Sequence, residues 1–77
     1  MKGLVEFMAK AMVENPQQVE ATEIAGELTL VIELKVAKED LGKIIGKKGR
    51  NVQAMRTILN AASGKLKKTV VLEIVDQ

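Results

Sequence analysis

Gly46 and Gly49 stand three positions apart and enclose Lys47 and Lys48, with Lys43 and Arg50 just outside them. Glycine allows a turn so tight that no side chain shields the backbone. A helix starting after it offers unpaired N–H groups and the positive end of its dipole. A phosphate can approach such a corner and meet backbone donors and ammonium groups together. The chemistry on offer is anion binding. Other chemistries lack their residues: the 77-residue chain has no histidine and no cysteine, which removes the usual zinc and copper ligands, nucleophile–histidine pairs and disulfides. Glu39 and Asp40 are the acidic residues beside the loop, and nothing in their placement makes an acid/base pair of them. No catalytic residue, metal or cofactor is expected.

Two nucleotide-binding patterns fail on the same letters. From Gly42 the run Gly-Lys-Ile-Ile-Gly-Lys-Lys approaches a P-loop, but its glycines are one residue too close and Lys48 stands where a Mg²⁺-binding Ser/Thr belongs. A dinucleotide fingerprint needs a third glycine and a preceding strand, and neither is present. Charge points instead to a polyanion. Residues 1–34 hold Lys2 and Lys10 against six glutamates, net −4; residues 35–68 hold ten Lys/Arg against Glu39 and Asp40, net +8; Glu73 and Asp76 close the chain at −2. So uneven a distribution marks an anion-facing segment better than the overall charge of +2 does.

The elements that must position this loop follow from periodicity. Leu4, Val5, Met8, Ala11 and Met12 recur at helical spacing, which predicts a first helix over residues 2–14, stopped by Asn15-Pro16. Val19 to Ala25 is expected to form a short strand, turned at Gly26-Glu27 into a longer one. In that second strand Leu28, Leu30, Ile32, Leu34 and Val36 share the buried face. From Lys38 to Ala62 the period is helical again but broken at the two glycines into a short and a longer helix, the latter with Val52, Met55, Ile58, Leu59 and Ala62 as its buried stripe. Ser63-Gly64 is expected to end it, with Gly64 in the left-handed conformation. Lys65 to Lys68 then form a basic loop, and Val70 to Val75 a last strand. The order is α-β-β-α-α-β over a single domain of residues 1–77. The hairpin pairs antiparallel, and the strands separated by two helices pair most simply in parallel through a right-handed crossover. The expected fold class is α+β: a three-stranded mixed sheet with three helices on one face.

The run Asp40-Leu-Gly-Lys-Ile-Ile-Gly-Lys-Lys-Gly-Arg, with its isoleucine pair, basic filling and following apolar helix, resembles the KH (K-homology) domain. The signature of that family is a GxxG loop between two helices. The element order resembles its prokaryotic type II variant, and the length resembles small bacterial proteins made of one such domain. The resemblance implies a groove for about four nucleotides of single-stranded RNA, clamped by the GxxG loop. By position, Gly46, Lys47, Lys48 and Gly49 would hold phosphates, helped by Lys43 and Arg50. Ile44, Ile45 and Val52 would form one wall and the floor. Val70 to Leu72 and the loop at Lys65, Lys67 and Lys68 would form the other wall, with Arg56 a candidate for a backbone or base contact. Phe7 is the lone aromatic residue, so bases would meet aliphatic surface and hydrogen-bonding groups instead of rings.

So short a grip binds weakly, and a homodimer or a heterodimer with another KH-containing RNA-binding protein is expected to supply a second one. Met8 and Met12 could belong to an adaptable partner surface. The family suggests RNA chaperoning or post-transcriptional regulation. Two alternatives stay open. One is a duplex-DNA binder that would present Arg50, Gln53, Arg56, Thr57 and Asn60 from its recognition helix; the other is a protein-interaction subunit without nucleic acid. No apolar run approaches the ~20 residues a bilayer needs, and Glu6 interrupts the N-terminal apolar stretch too early for a signal-peptide core. The expected location is the cytoplasm, with no membrane partner.

Overall fold

A computed structural model describes residues 1–75, so Asp76 of the acidic tail lies outside it. The elements are α1 (Lys2–Met12), β1 (Glu20–Ala25), β2 (Thr29–Lys35), α2 (Leu41–Ile45), α3 (Arg50–Ala62) and β3 (Thr69–Val75), with single 3₁₀ turns at Pro16–Gln18, Lys38–Asp40, Lys47–Gly49 and Ser63–Lys65. The sheet order is β1-β2-β3. β1 lies antiparallel to β2, from Glu20 opposite Lys35 to Ala25 opposite Leu30, and β3 runs parallel to β2, from Thr29 beside Thr69 to Lys35 beside Val75. The helices pack on one face of this mixed sheet, as the element order requires.

Alternation in β2 sends Leu30, Ile32 and Leu34 inward, where they meet Val70 and Leu72 of β3, Val5 and Ala9 of α1, Ile44 of α2, and Val52, Met55 and Leu59 of α3. Completely burying a side chain such as Ile32 or Leu34 stabilises the fold by about 1.5–3 kcal/mol. β1 contributes little. Its inward positions are Ala21, Glu23 and Ala25, opposite Leu34, Ile32 and Leu30, and all but Ala21 are exposed.

Several boundaries depart from the periodicity. α1 ends at Met12, and Val13 is already extended at φ −107°, ψ 163°. Two residues of the expected helix are drawn off because the backbone N–H groups of Glu14 and Asn15 donate to the Asp40 carboxylate instead of to their own helix. Ala9 is fully buried where Ala11 was expected. Leu28 is not on the buried face of β2: it belongs to the hairpin loop and is 75% exposed. Ile58 and Ala62 are exposed, so the buried stripe of α3 is Val52, Met55 and Leu59 alone. Gly64 does not take the left-handed conformation; α3 runs on into a 3₁₀ turn, and the positive φ of 56° falls on Lys67. Ser63 anchors that turn, its hydroxyl donating to the Asn60 carbonyl. Among the described residues no helix is long and apolar enough to cross a membrane.

Candidate nucleic-acid interface

Three of the four residues at the corner between α2 and α3 have positive φ. The Gly46 N–H donates to the Gly42 carbonyl at 2.8 Å and closes α2. The chain then passes through Gly46 (φ 77°), Lys48 (φ 58°, ψ 25°) and Gly49 (φ 74°, ψ 15°), while the Gly49 N–H bonds back to the Gly46 carbonyl at 3.1 Å. For Lys48 this conformation costs about 1–2 kcal/mol. Gly46 is held to glycine twice over: its φ is positive, and a Cβ there would lie 2.6 Å from Asn51 Cγ. Gly49 has room for a methyl group, which would meet only Val52 Cγ1 at 4.0 Å, so conformation alone requires glycine there.

α3 begins at this corner with no side chain capping it, which leaves its partial positive charge uncompensated. Lys47, Lys48 and Arg50 are exposed. Among the described residues neither Lys47 nor Lys48 makes a side-chain ion pair or hydrogen bond. The start of α3, Lys47, Lys48 and Arg50 thus converge on one corner, and among the described residues no ion pair takes up the two lysines, an arrangement suited to phosphate.

Lys43 is differently employed. Its Nζ lies 3.1 Å from Glu14 Oε1 and 3.6 Å from Asp40 Oδ1, in a joint that fastens α2 to the end of α1. Asp40 is fully buried and accepts from the Glu14 and Asn15 N–H groups and the Asn15 side-chain amide, at 3.2, 3.0 and 2.9 Å. Burial works against its ionised form, but the Asn15 amide, the two backbone donors and the Lys43 ammonium outweigh it and hold the carboxyl below its ordinary range. The hydrogen bond to Glu14 leads the causes that push Lys43 upward; burial opposes it, and the charges of Glu14 and Asp40 reinforce it.

The remaining candidates divide by position. Ile44 is completely buried and Val52 nearly so, whereas Ile45 is 39% exposed beside the loop. In β3, Val70 and Leu72 face the core and Val71 is on the open side. What β3 offers toward α3 is its backbone edge: Arg56 Nη2 donates to the Leu72 carbonyl at 3.2 Å. Arg56 is thereby turned onto the sheet and leaves the outward set a duplex-reading helix would present. Lys65, Lys67 and Lys68 occupy the connection beyond α3, with Leu66 47% exposed among them. On the opposite flank of the buried stripe, Ala54 and Ile58 face α1 across an open apolar groove with Phe7, Met8, Ala11 and Met12.

Asn51, Glu14, Asn15 and the structural use of Asp40 were not found by sequence reasoning. An Asp before a helix reads as a local N-cap, yet Asp40 makes no such bond to its own helix and serves a segment 25 residues away. For Asn51 the available signal was a short amide directly after the glycine corner.

Two short-looped helices joined through Gly-x-x-Gly, packed on a sheet with β1 antiparallel and β3 parallel to β2, define a type II KH domain. Residues 2–74 match the family described as KhpA/KhpB, KH domain, and the chain belongs to that family. It is 55% identical over 75 residues to the RNA-binding protein KhpA of Caldanaerobacter subterraneus subsp. tengcongensis, covering 97% of this chain and 100% of the relative. With the RNA-binding protein KhpA of Aquifex aeolicus it shares 53% identity over 76 residues, 99% and 96% of the two chains. With that of Clostridium acetobutylicum it shares 49% over 75 residues, 97% and 100%. No solved structure matches the chain significantly.

Proposed function

We propose that this protein binds single-stranded RNA without catalysing a reaction, acting through a single KH domain over residues 1–77. The observation that carries this reading is the Gly46–Gly49 corner: a tight glycine turn, the uncapped start of α3, and two lysines with no partner among the described residues. Its relatives named RNA-binding protein KhpA support RNA as the polyanion. Gly46, Lys47, Lys48 and Gly49 grip phosphates with help from Arg50. Ile45, over buried Ile44 and Val52, offers the bases an aliphatic surface. The β3 edge with Arg56 forms the far wall, and Lys65, Lys67 and Lys68 extend it. Lys43 joins only by giving up Glu14.

One such groove holds about four nucleotides, so useful affinity comes from pairing two domains, as a homodimer or with a second KH-containing protein. The apolar groove between α1 and α3, flanked by Phe7 at 74% and Ile58 at 46% exposure, supports this, because it lies on the other flank of α3 from Arg56. The setting we propose is the cytoplasm, and the role RNA chaperoning or post-transcriptional regulation.

The test is binding of a labelled single-stranded RNA by the wild type and by Lys47→Asp/Lys48→Asp over a salt series, with circular dichroism on both and duplex DNA as competitor. Neutralising three or four phosphates gives a log–log salt slope of about −2 to −3. A flat slope, or equal binding by a folded double variant, refutes the site. Sedimentation that shows a strict monomer at high concentration refutes the homodimer.

A further inference from the structure

Asn51 belongs to the first turn of α3, yet its side chain reaches back across the corner to α2. Its Nδ2 donates to the Lys43 carbonyl at 2.7 Å, an acceptor in the short helix that enters the loop. The same side chain fills the space over Gly46, where a Cβ would lie 2.6 Å from Asn51 Cγ and 2.8 Å from its Cβ and Nδ2. Among the described residues no other side-chain hydrogen bond joins α2 to α3. Between these two anchor points the backbone passes through three positive φ angles, one of them on a lysine. Such a segment keeps its shape only where its surroundings over-determine it.

The chemistry of the position is narrow. Aspartate at neutral pH has no proton to donate to a carbonyl, leucine has the volume without the donor, and alanine has neither. Glycine at 46 and asparagine at 51 are thus complementary: the missing side chain at one makes room for the amide at the other.

We propose that Asn51 is a positioning residue for phosphate binding, tying the end of α2 to the start of α3 across Gly46 and holding the loop in its binding shape before RNA arrives. The proposal rests on the Gly46–Gly49 corner being the RNA site. Without this tie the loop would have to be ordered at the moment of binding, which lowers affinity without changing the number of charges neutralised.

The experiment compares wild type with Asn51→Ala, in which the best helix former keeps α3 intact, and with Asn51→Leu, which keeps the bulk. Amide hydrogen exchange of residues 46–49 is followed in the free protein. Binding of a fluorescent single-stranded RNA of mixed sequence is measured over a salt series, with the thermal midpoint as the control for folding. Loop exchange is expected to quicken by about tenfold and affinity to fall by about five- to tenfold, with the salt slope unchanged. RNA affinity within twofold of wild type in a folded variant overturns the proposal. So does lost affinity with unchanged loop exchange in the free protein, which would make Asn51 a direct RNA contact. The Lys47→Asp/Lys48→Asp protein, run in parallel, reports separately on the site: if it too binds as wild type, the site reading fails. Gly46→Ala gives an independent check. Its thermal penalty is expected to be smaller in the Asn51→Ala background than in the wild type, because Cγ and Nδ2, two of the three atoms it would strike, are gone while Cβ stays. Equal penalties in both backgrounds overturn the complementarity of the pair.

Discussion

α3 carries a basic loop at each end, and the two are not equivalent. Both contain a lysine in the left-handed conformation, Lys48 at φ 58° and Lys67 at φ 56°, and both place lysines in solvent. The first loop meets the N-terminal end of a 13-residue helix, uncapped and partially positive, and there lysines add to an existing attraction for anions. It is braced from behind by Asn51 and, through α2, by the buried Asp40. The second loop follows the C-terminal end, about 20 Å along the same axis. There Lys65, Lys67 and Lys68 offset the negative end of the dipole, and among the described residues the one side-chain hydrogen bond at the turn is that of Ser63 to the Asn60 carbonyl. Equal charge therefore does different work according to which end of a helix it joins. The first loop combines its charge with the positive end of a helix dipole, and the second does not.

Breaking the first loop gives the largest expected effect. Lys47→Asp/Lys48→Asp should lower RNA affinity by about a hundredfold and make the salt slope shallower by about 1.4, with the circular dichroism spectrum unchanged.

The brace comes next. Asp40→Ala leaves the Glu14 and Asn15 N–H groups without their acceptor, and the thermal midpoint should fall by about 10 °C. The same group sets a pH dependence. Its folded carboxyl titrates below its unfolded one, so its stabilising contribution is complete above the unfolded value of about 3.9 and is lost as pH falls through the lower folded value. Acid unfolding of the wild type should show this loss below about pH 4, and Asp40→Ala should lack it.

The second loop should matter less. Replacing Lys65, Lys67 and Lys68 together with glutamine should cost about three- to fivefold in RNA affinity. A loss as large as that at Lys47 and Lys48 would erase the distinction between the two ends.

The smallest effect is expected at Glu14. Glu14→Gln releases Lys43 from its shorter ion pair and should raise RNA affinity about twofold at low salt, an increase that vanishes at high salt. No increase would show that Asp40 alone keeps Lys43 out of the loop.

Much of this was legible in the chain itself, for identifiable reasons. The strict alternation of Leu30, Ile32 and Leu34, the helical spacing of Val52, Met55 and Leu59, and the Gly46/Gly49 pair are signals in which neighbours in sequence are neighbours in space. They were sufficient for the element order, the mixed sheet and the place of the loop. Where the reading went wrong, the deciding partner was distant. Ile58 fits the apolar stripe of α3 by spacing, but at 46% exposure it lines the groove shared with α1.

The sequence by itself determined which segments become helix or strand, where the corner falls and which sign of ligand it attracts, because periodicity, glycine conformation and formal charge are local properties. Tertiary structure alone decided which charges remain available. Lys43 and Lys47 are four positions apart and identical in chemistry, yet one is tied to Glu14 and Asp40 while the other has no partner among the described residues. That difference comes from packing the end of α1 against α2. Electrostatic energy depends on distance in space and on burial, and neither can be counted along the chain.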